Sequence, residues 1–330
     1  MPDRRRWLQQ AGALACPVPL LASPEARALD APATARLLIG APAGGAGDAL
    51  LRRIADKLRG GYAPAVIVEN KAGAAGQIAL MAARDAAPDG ATLLMSPSTF
   101  FSVYPHAYAR LPYDPQADFM PVSLLAHTNF ALVVGPKVPE SVRTLADFMA
   151  WSRAHPDEAT FGSPATGSVP HLVVACAAHQ FKAPLRHVPY RGSVPGLQDL
   201  RGGQIAAMSS PIGAVLSHLV PGGARALAVT GAARSPLLPQ VPTWREQGLP
   251  LVGREWFGMF LPARVPQAVA TRTAAYLKLA LQQSDLIDGG ARLGLEVAAS
   301  TPQELQAMIA ADSAEWRVWI RRIGFSAEAA

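Results

Sequence analysis

Short apolar runs alternate with amphipathic stretches along the chain, and their two periods predict where strands and helices fall. Arg36-Leu37-Leu38-Ile39, Ala65–Glu69 and Thr92–Met95 read as strands. Between the first two, Leu50, Leu51, Ile54 and Leu58 recur at helical spacing, so a helix runs from the glycine-rich turn Ala41–Gly47 through Lys57. Gly73–Gly76 turns the chain into an alanine-rich helix ending near Ala86, and Pro88-Asp89-Gly90 turns it again. Phe119–Leu125 and Ala131–Val134 are further strands.

The pattern then restarts. Helix Leu145–Ala154 precedes strand Ala159–Gly162, a Ser/Gly/Pro loop from Ser163 to Pro170, and a helix ending near Phe181. Strand Leu185–Pro189, helix Val194–Leu200 and strands Ile205–Met208 and Ala226–Thr230 follow. Phe257–Leu261 reads as a strand returning to the first half, before helices Gln267–Gln283 and Pro302–Arg322. Such alternation predicts an α/β protein with mainly parallel sheets. Roughly 300 residues after the leader exceed one ordinary core. The expected layout is a lobe built from residues 34–130 and 255–330, with a second lobe, 131–254, inserted into it. Two chain crossings make a hinge, and hinged lobes close on ligands.

The N-terminus points to export. Arg4, Arg5 and Arg6 precede a short apolar stretch from Ala11 to Ala22, and Ala26-Arg27-Ala28 offers a small-x-small cleavage site. The stretch is too short to span a bilayer. Residues 1–28 are therefore read as a signal peptide cleaved near Ala28, and the protein as periplasmic. Asp3-Arg4-Arg5-Arg6-Trp7-Leu8-Gln9 resembles a twin-arginine signal, with the general secretory route equally open. Cleavage removes four positive and two negative residues, so the formal +6 falls to +4. No Lys/Arg block follows the leader, which argues against a nucleic-acid partner. A mild positive surplus suits an anionic solute. Of two cysteines only Cys176 stays in the mature chain, in an apolar helical setting that reads as core.

Three strand-to-helix junctions carry the candidate chemistry. In Ala41-Pro42-Ala43-Gly44-Gly45-Ala46-Gly47-Asp48, glycines permit a tight turn and free N–H groups at a helix start favour an anion. Asp48 is either a ligand contact or an N-cap. Ser163-Pro164-Ala165-Thr166-Gly167-Ser168 is the counterpart in the second half, where hydroxyls and N–H groups can hold a carboxylate and Ser168 can cap the helix. Tyr190-Arg191-Gly192-Ser193 sets an aromatic and a cation at the third junction, with Arg191 either paired to a carboxylate or solvated. Gly45-x-Gly47 with Glu69 imitates a dinucleotide fingerprint, but Leu50 stands at the third glycine and Pro42 inside the turn. No nucleophile, metal or phosphate-loop motif occurs, and the seven histidines are scattered without pairs suited to a metal. No catalytic residue, metal ligand or cofactor is assigned, and no internal repeat is visible.

Longer segments extend these motifs. They are Gly44-Gly45-x-x-Asp48; Val66-Ile67-Val68-Glu69-Asn70-Lys71-x-Gly73-x-x-Gly76; Ala87-Pro88-Asp89-Gly90-x-Thr92-Leu93-Leu94; Leu111-Pro112-Tyr113-Asp114-Pro115; His187-Val188-Pro189-Tyr190-Arg191-Gly192-Ser193; Gly202-Gly203-Gln204; Arg225–Thr230; and Pro239-Gln240-Val241-Pro242-Thr243. In this order they resemble the Bug proteins, the TctC-like solute-binding components of tripartite tricarboxylate transporters. The resemblance spans nearly the whole mature chain. It implies a periplasmic-binding-protein fold of two Rossmann-like lobes and a non-catalytic, monomeric protein. The implied ligand is a small organic carboxylate, held by backbone groups, hydroxyls and ordered waters and delivered to membrane permease subunits. By motif, the first-lobe contacts are Pro42, Ala43, Gly44, Gly45 and the Ser98-Thr99 loop. The second lobe supplies Ser163, Thr166, Gly167, Ser168 and Tyr190. Where family members carry an acidic residue after Gly-Gly-Gln, this chain reads Met208-Ser209-Ser210-Pro211, so Ser210 takes that side of the site and a ligand without an ammonium group is expected. An alternative is a ligand-sensing partner of a membrane sensor kinase. A dinucleotide-binding enzyme is a more distant one.

Overall fold

A computed structural model of the chain describes residues 31–327, so the leader read from residues 1–28 lies outside the described residues. Strands β1 (Thr34–Ile39), β2 (Ala65–Asn70), β3 (Thr92–Pro97) and β4 (Phe119–Thr128) come first. They precede β5 (Phe130–Val134), β6 (Thr160–Ser163), β7 (Arg186–Pro189), β8 (Ala207–Pro211) and β9 (Arg225–Val229), and then β10 (Glu255–Pro262) and β11 (Leu295–Val297). The longer helices are α1 (Ala46–Leu58), α2 (Gln77–Arg84), α3 (Leu145–Ala154), α4 (Val169–Gln180), α5 (Ser193–Arg201), α6 (Gln267–Leu281), α7 (Ser284–Arg292) and α8 (Pro302–Ile323).

Two sheets result, ordered β11-β4-β10-β3-β1-β2 and β7-β6-β8-β5-β9. Both repeat one topology that the sequence does not display. A first strand lies between its second and third in parallel pairing (β2-β1-β3 and β7-β6-β8). Next comes the strand arriving from the other half of the molecule, antiparallel, and beyond it the fourth strand. Four of six strands in the first sheet and four of five in the second therefore run one way.

The strand directions fix where a site can form. β4 passes through Asn129 directly into β5, so the C-terminal ends of β1, β2, β3 and β4 face the second sheet. β5 starts beside the end of β8, with Phe130 opposite Pro211, so the C-terminal ends of β6, β7, β8 and β9 face back. Open α/β sheets bind ligands outside the carboxyl ends of their strands, where the strand order reverses. Here those reversals fall at the loops after β1 and after β6.

Local chemistry explains the elements around these loops. In α1, Leu50, Leu51, Ile54 and Leu58 turn inward while Arg52, Arg53, Asp56 and Lys57 stay in water. Burial of each of those apolar side chains is worth about 1.5–3 kcal/mol. Helix α8 begins in a capping box, with Thr301 Oγ1 accepting from Glu304 N–H and Glu304 Oε2 accepting from Thr301 N–H. It packs on the turn 99–103, on β4 and on α4 of the second lobe, so it bridges both halves. The apolar packing is continuous there, running from Phe101, Trp256 and Trp316 to Phe161, Leu172 and Val173.

Some expectations change. Thr99–Val103 forms a wide helical turn instead of the loop expected after Ser98. Helix α7 and strand β11 have no counterpart in the predicted elements. A Cβ at Gly289 would lie 2.7 Å from Arg53 Nη1, so the glycine leaves α7 room for that guanidinium. Among the described residues no helix is long and apolar enough to cross a membrane.

Candidate functional site

The two reversal-point loops are built differently. After β1, Gly44 adopts φ +89°, a left-handed turn that glycine takes without strain, and Gly45 then opens α1 in extended conformation. Pro42, Ala43, Gly44 and Gly45 are exposed. Among the described residues the N–H groups of Gly45, Ala46 and Gly47 find no partner in the chain, as the first turn of a helix leaves them. Asp48 is not free to join them. It is buried, with Oδ2 accepting from Gly44 N–H at 2.9 Å and Arg52 Nε at 3.0 Å, and Oδ1 from Asn70 Nδ2 at 2.9 Å. Asn70 also donates to Ala41 O and accepts from Arg52. Burial would raise the Asp48 carboxyl, but these donors together bring it below its ordinary value. The Asp48 side chain thus neither caps α1 at its start nor reaches out. It clamps the turn to β2, leaving the loop's ligand capacity to its backbone.

After β6, the loop folds around one carbonyl. Ala165 O accepts from Ser163 Oγ at 3.0 Å, from Ser168 Oγ at 2.7 Å and from Ser168 N at 3.4 Å. Ser163 Oγ also meets His187 Nε2 at 2.8 Å. Gly167, at φ +71°, gives its N–H to His171 Nδ1 at 2.9 Å. The hydroxyls of Ser163 and Ser168 are therefore engaged within the loop, and Ser168 makes no side-chain cap on α4. Among the described residues the N–H groups of Ala165 and Thr166 have no partner in the chain. Thr166 O accepts from Tyr104 OH at 3.4 Å, a contact from the first lobe to the second.

The remaining candidates divide. Tyr190 seats its ring between two glycines: a Cβ at Gly162 or Gly196 would come within 2.8 Å or 3.0 Å of it. Its hydroxyl donates to Asp199 Oδ2 at 2.8 Å, and burial together with that carboxylate pushes the phenol up. Arg191 is exposed, with no ion pair among the described residues. Ser98 and Ser210 follow or end the third strand of each sheet. Both are fully buried, and among the described residues neither hydroxyl has a partner. Thr99 gives its hydroxyl to Glu255 at 2.6 Å. Glu255 opens the returning strand β10, and burial lifts its carboxyl to about 7 despite the Thr99 bonds.

Sequence reasoning missed Glu255, the Asp48–Asn70–Arg52 clamp and a stacked pair of histidines, His171 and His187, whose centroids lie 3.7 Å apart. Asp48, Asn70 and His187 carried a signal, as parts of the Gly44–Asp48, Glu69-Asn70-Lys71 and His187–Ser193 segments, but nothing in them showed these contacts. The histidines are far apart in sequence and meet only because α4 and β7 pack together. Among the described residues no three His, Cys, Asp or Glu side chains converge as metal ligands. Cys176 is buried, and burial pushes its thiol to about 12, so it is core and no nucleophile.

Two mainly parallel α/β sheets, each with a strand-order reversal at the loop after its first strand, define the class of fold. The sequence pattern described as the tripartite tricarboxylate transporter family receptor matches residues 50–325, and the chain belongs to that family. It is 32% identical over 291 residues to Protein BugT of Bordetella pertussis, covering 88% of this chain and 89% of the relative. Among solved structures, that of Rpa4515 from R. palustris with adipate superposes with a TM-score of 0.83 at 29% identity, over 90% of this chain and 99% of that one. MatC from Rhodopseudomonas palustris with bound malate gives 0.78 at 28% identity, over 87% and 98%. Family and structural neighbours are substrate-binding proteins, and this chain is a solute-binding protein and not an enzyme. Family members are periplasmic binding proteins, as the neighbour BugD is described.

Proposed function

We propose that this chain captures a small organic carboxylate between its two lobes and presents it to the permease subunits of a tripartite tricarboxylate-type transporter. The observation that carries the reading is the pair of facing loops, Pro42–Gly47 and Ser163–Ser168, each with N–H groups left over and each without a free acidic side chain. Such groups hold an anion through charge-assisted bonds. Backbone contacts from Pro42–Gly47, Ala165 and Thr166, the buried hydroxyls of Ser98 and Ser210, the ring of Tyr190 and the guanidinium of Arg191 would line the cleft. The engaged side chains of Asp48, Thr99, Ser163 and Ser168 would hold its walls. The neighbours with adipate and malate support the ligand class.

Closure would take place about the crossings at Asn129 and before Glu255, with residues 34–130 and 255–330 moving against 131–254. A cleaved leader at residues 1–28 would place the monomeric protein in the periplasm. The Met208–Pro211 strand supplies no carboxylate, and Glu255 already holds Thr99, so nothing on that side favours an ammonium group. A thermal-shift screen of di- and tricarboxylates and aromatic acids tests the reading, with glutamate as the amine control. Stabilisation by at least one carboxylate is expected, and tight calorimetric binding of glutamate would remove the claim about the ammonium group. Arg191→Ala should weaken the best hit about tenfold, the worth of one charge-assisted contact. Unchanged affinity would place that cation outside the cleft.

A further inference from the structure

The second-lobe loop is shaped by the two histidines behind it. His171 stands on the first turn of α4 and His187 in β7, with ring planes 15° apart and centroids at 3.7 Å. Phe161 lies against both rings, and Phe325, from the chain segment beyond α8, meets His171 edge-on at 5.2 Å. Each imidazole holds one end of the loop, His187 at Ser163 and His171 at Gly167.

The hydrogen-bond directions fix the proton positions. Gly167 N–H donates, so His171 Nδ1 must offer a lone pair and the ring proton sits on Nε2. With the Ser163 hydroxyl donating to Ala165 O, its oxygen is left to accept from His187, which assigns that ring's proton to Nε2 as well. Both rings are neutral. Burial keeps them so: His171, which also lies beside His187, is lowered to about 3, and burial alone lowers His187 to about 4. No charged side chain pairs with either ring among the described residues.

These two bonds consume the Gly167 N–H and the Ser163 hydroxyl and leave the Ala165 and Thr166 N–H groups uncommitted. We propose that His171 and His187 are positioning residues for the carboxylate site: a neutral stacked pair that sets the loop so that Ala165 and Thr166 N–H serve the ligand. The pair touches the loop and not the ligand, and the proposal rests on the carboxylate reading above.

The chemistry supplies matched variants. Asn at 171 places Oδ1 where Nδ1 stands, so His171→Asn keeps the acceptor, whereas His171→Leu removes it. Gln at 187 places an amide N–H near Nε2, so His187→Gln keeps the donor, whereas His187→Leu removes it. Calorimetry with adipate and malate as probes at pH 7.5, beside melting curves, should show each leucine variant losing tenfold or more in affinity. The Asn and Gln variants should stay within about threefold of wild type. If a leucine variant fails to fold, His171→Gln, which moves the acceptor outward by one bond, takes its place and should show the same loss. Long-range ¹H–¹⁵N spectra of the wild-type imidazoles should show both as neutral Nε2–H tautomers. Leucine variants with wild-type affinity, or a ring found charged or protonated at Nδ1, would overturn the proposal while leaving the carboxylate reading intact. A wild-type chain that binds neither these probes nor any other carboxylate would overturn both.

Discussion

Glu255 shows how much a single residue can add once its surroundings are known. In sequence it is one acid before a tryptophan in Arg254-Glu255-Trp256, with nothing to separate it from a surface carboxylate. In the fold it is buried at the point where the chain returns to the first sheet, and it accepts a hydrogen bond from the Thr99 hydroxyl. Burial raises its carboxyl from 4.5 to about 7, with Asp312 adding to the rise. A raised value means that the folded state holds the proton more tightly than the unfolded chain. Its stabilising contribution is complete below the unfolded value and is lost as pH rises through about 7. Glu255→Gln should therefore gain stability relative to wild type at pH 8.5, by on the order of 2–3 kcal/mol, and much less at pH 5. Urea unfolding at both pH values checks this, and a pH-independent difference would contradict the burial argument. The candidate side chains follow the same lesson. Asp48, Thr99, Ser163 and Ser168 stood out as candidates because of their position, but what they bond to depends on neighbours such as Asn70 and Glu255 that no local pattern connects to them.

At the scale of elements, hydrophobic period made most helices and strands legible. The Leu50–Leu58 spacing gave α1, and Thr301 three residues before Glu304 marks the start of α8 in the chain. Failures came where tertiary contacts override local preference. Helix α7 carries Gly289-Gly290 where a Cβ would meet Arg53 at the first and Val297 at the second, and Thr99–Val103 winds into a helical turn packed against α8. Since α8 spans both lobes, its cap should matter to the whole molecule. Thr301→Ala removes the hydroxyl that accepts from Glu304 N–H and should cost about 1 kcal/mol. An unchanged urea midpoint would show that the helix is held by packing alone.

For the whole molecule, the alternation of strands and helices made the α/β class and the return of Phe257–Leu261 legible. The repeated topology was not, because β1 and β6 share a place in the sheet order but little more than an opening threonine: Thr-Ala-Arg-Leu-Leu-Ile against Thr-Phe-Gly-Ser. Topology conserves direction and order, which sequence period does not encode. That repetition sets two unlike loops face to face, one clamped by Asp48 and Asn70, the other by His171 and His187. The central claim is that this arrangement exists to hold a carboxylate. Calorimetric titration with the best dicarboxylate from the screen and with its monoamide tests it most directly, because the pair differs by one charge at nearly constant shape. One-to-one binding of the dicarboxylate is expected, weakened tenfold or more for the monoamide. Equal affinity for the two, or binding of the amide alone, would contradict it.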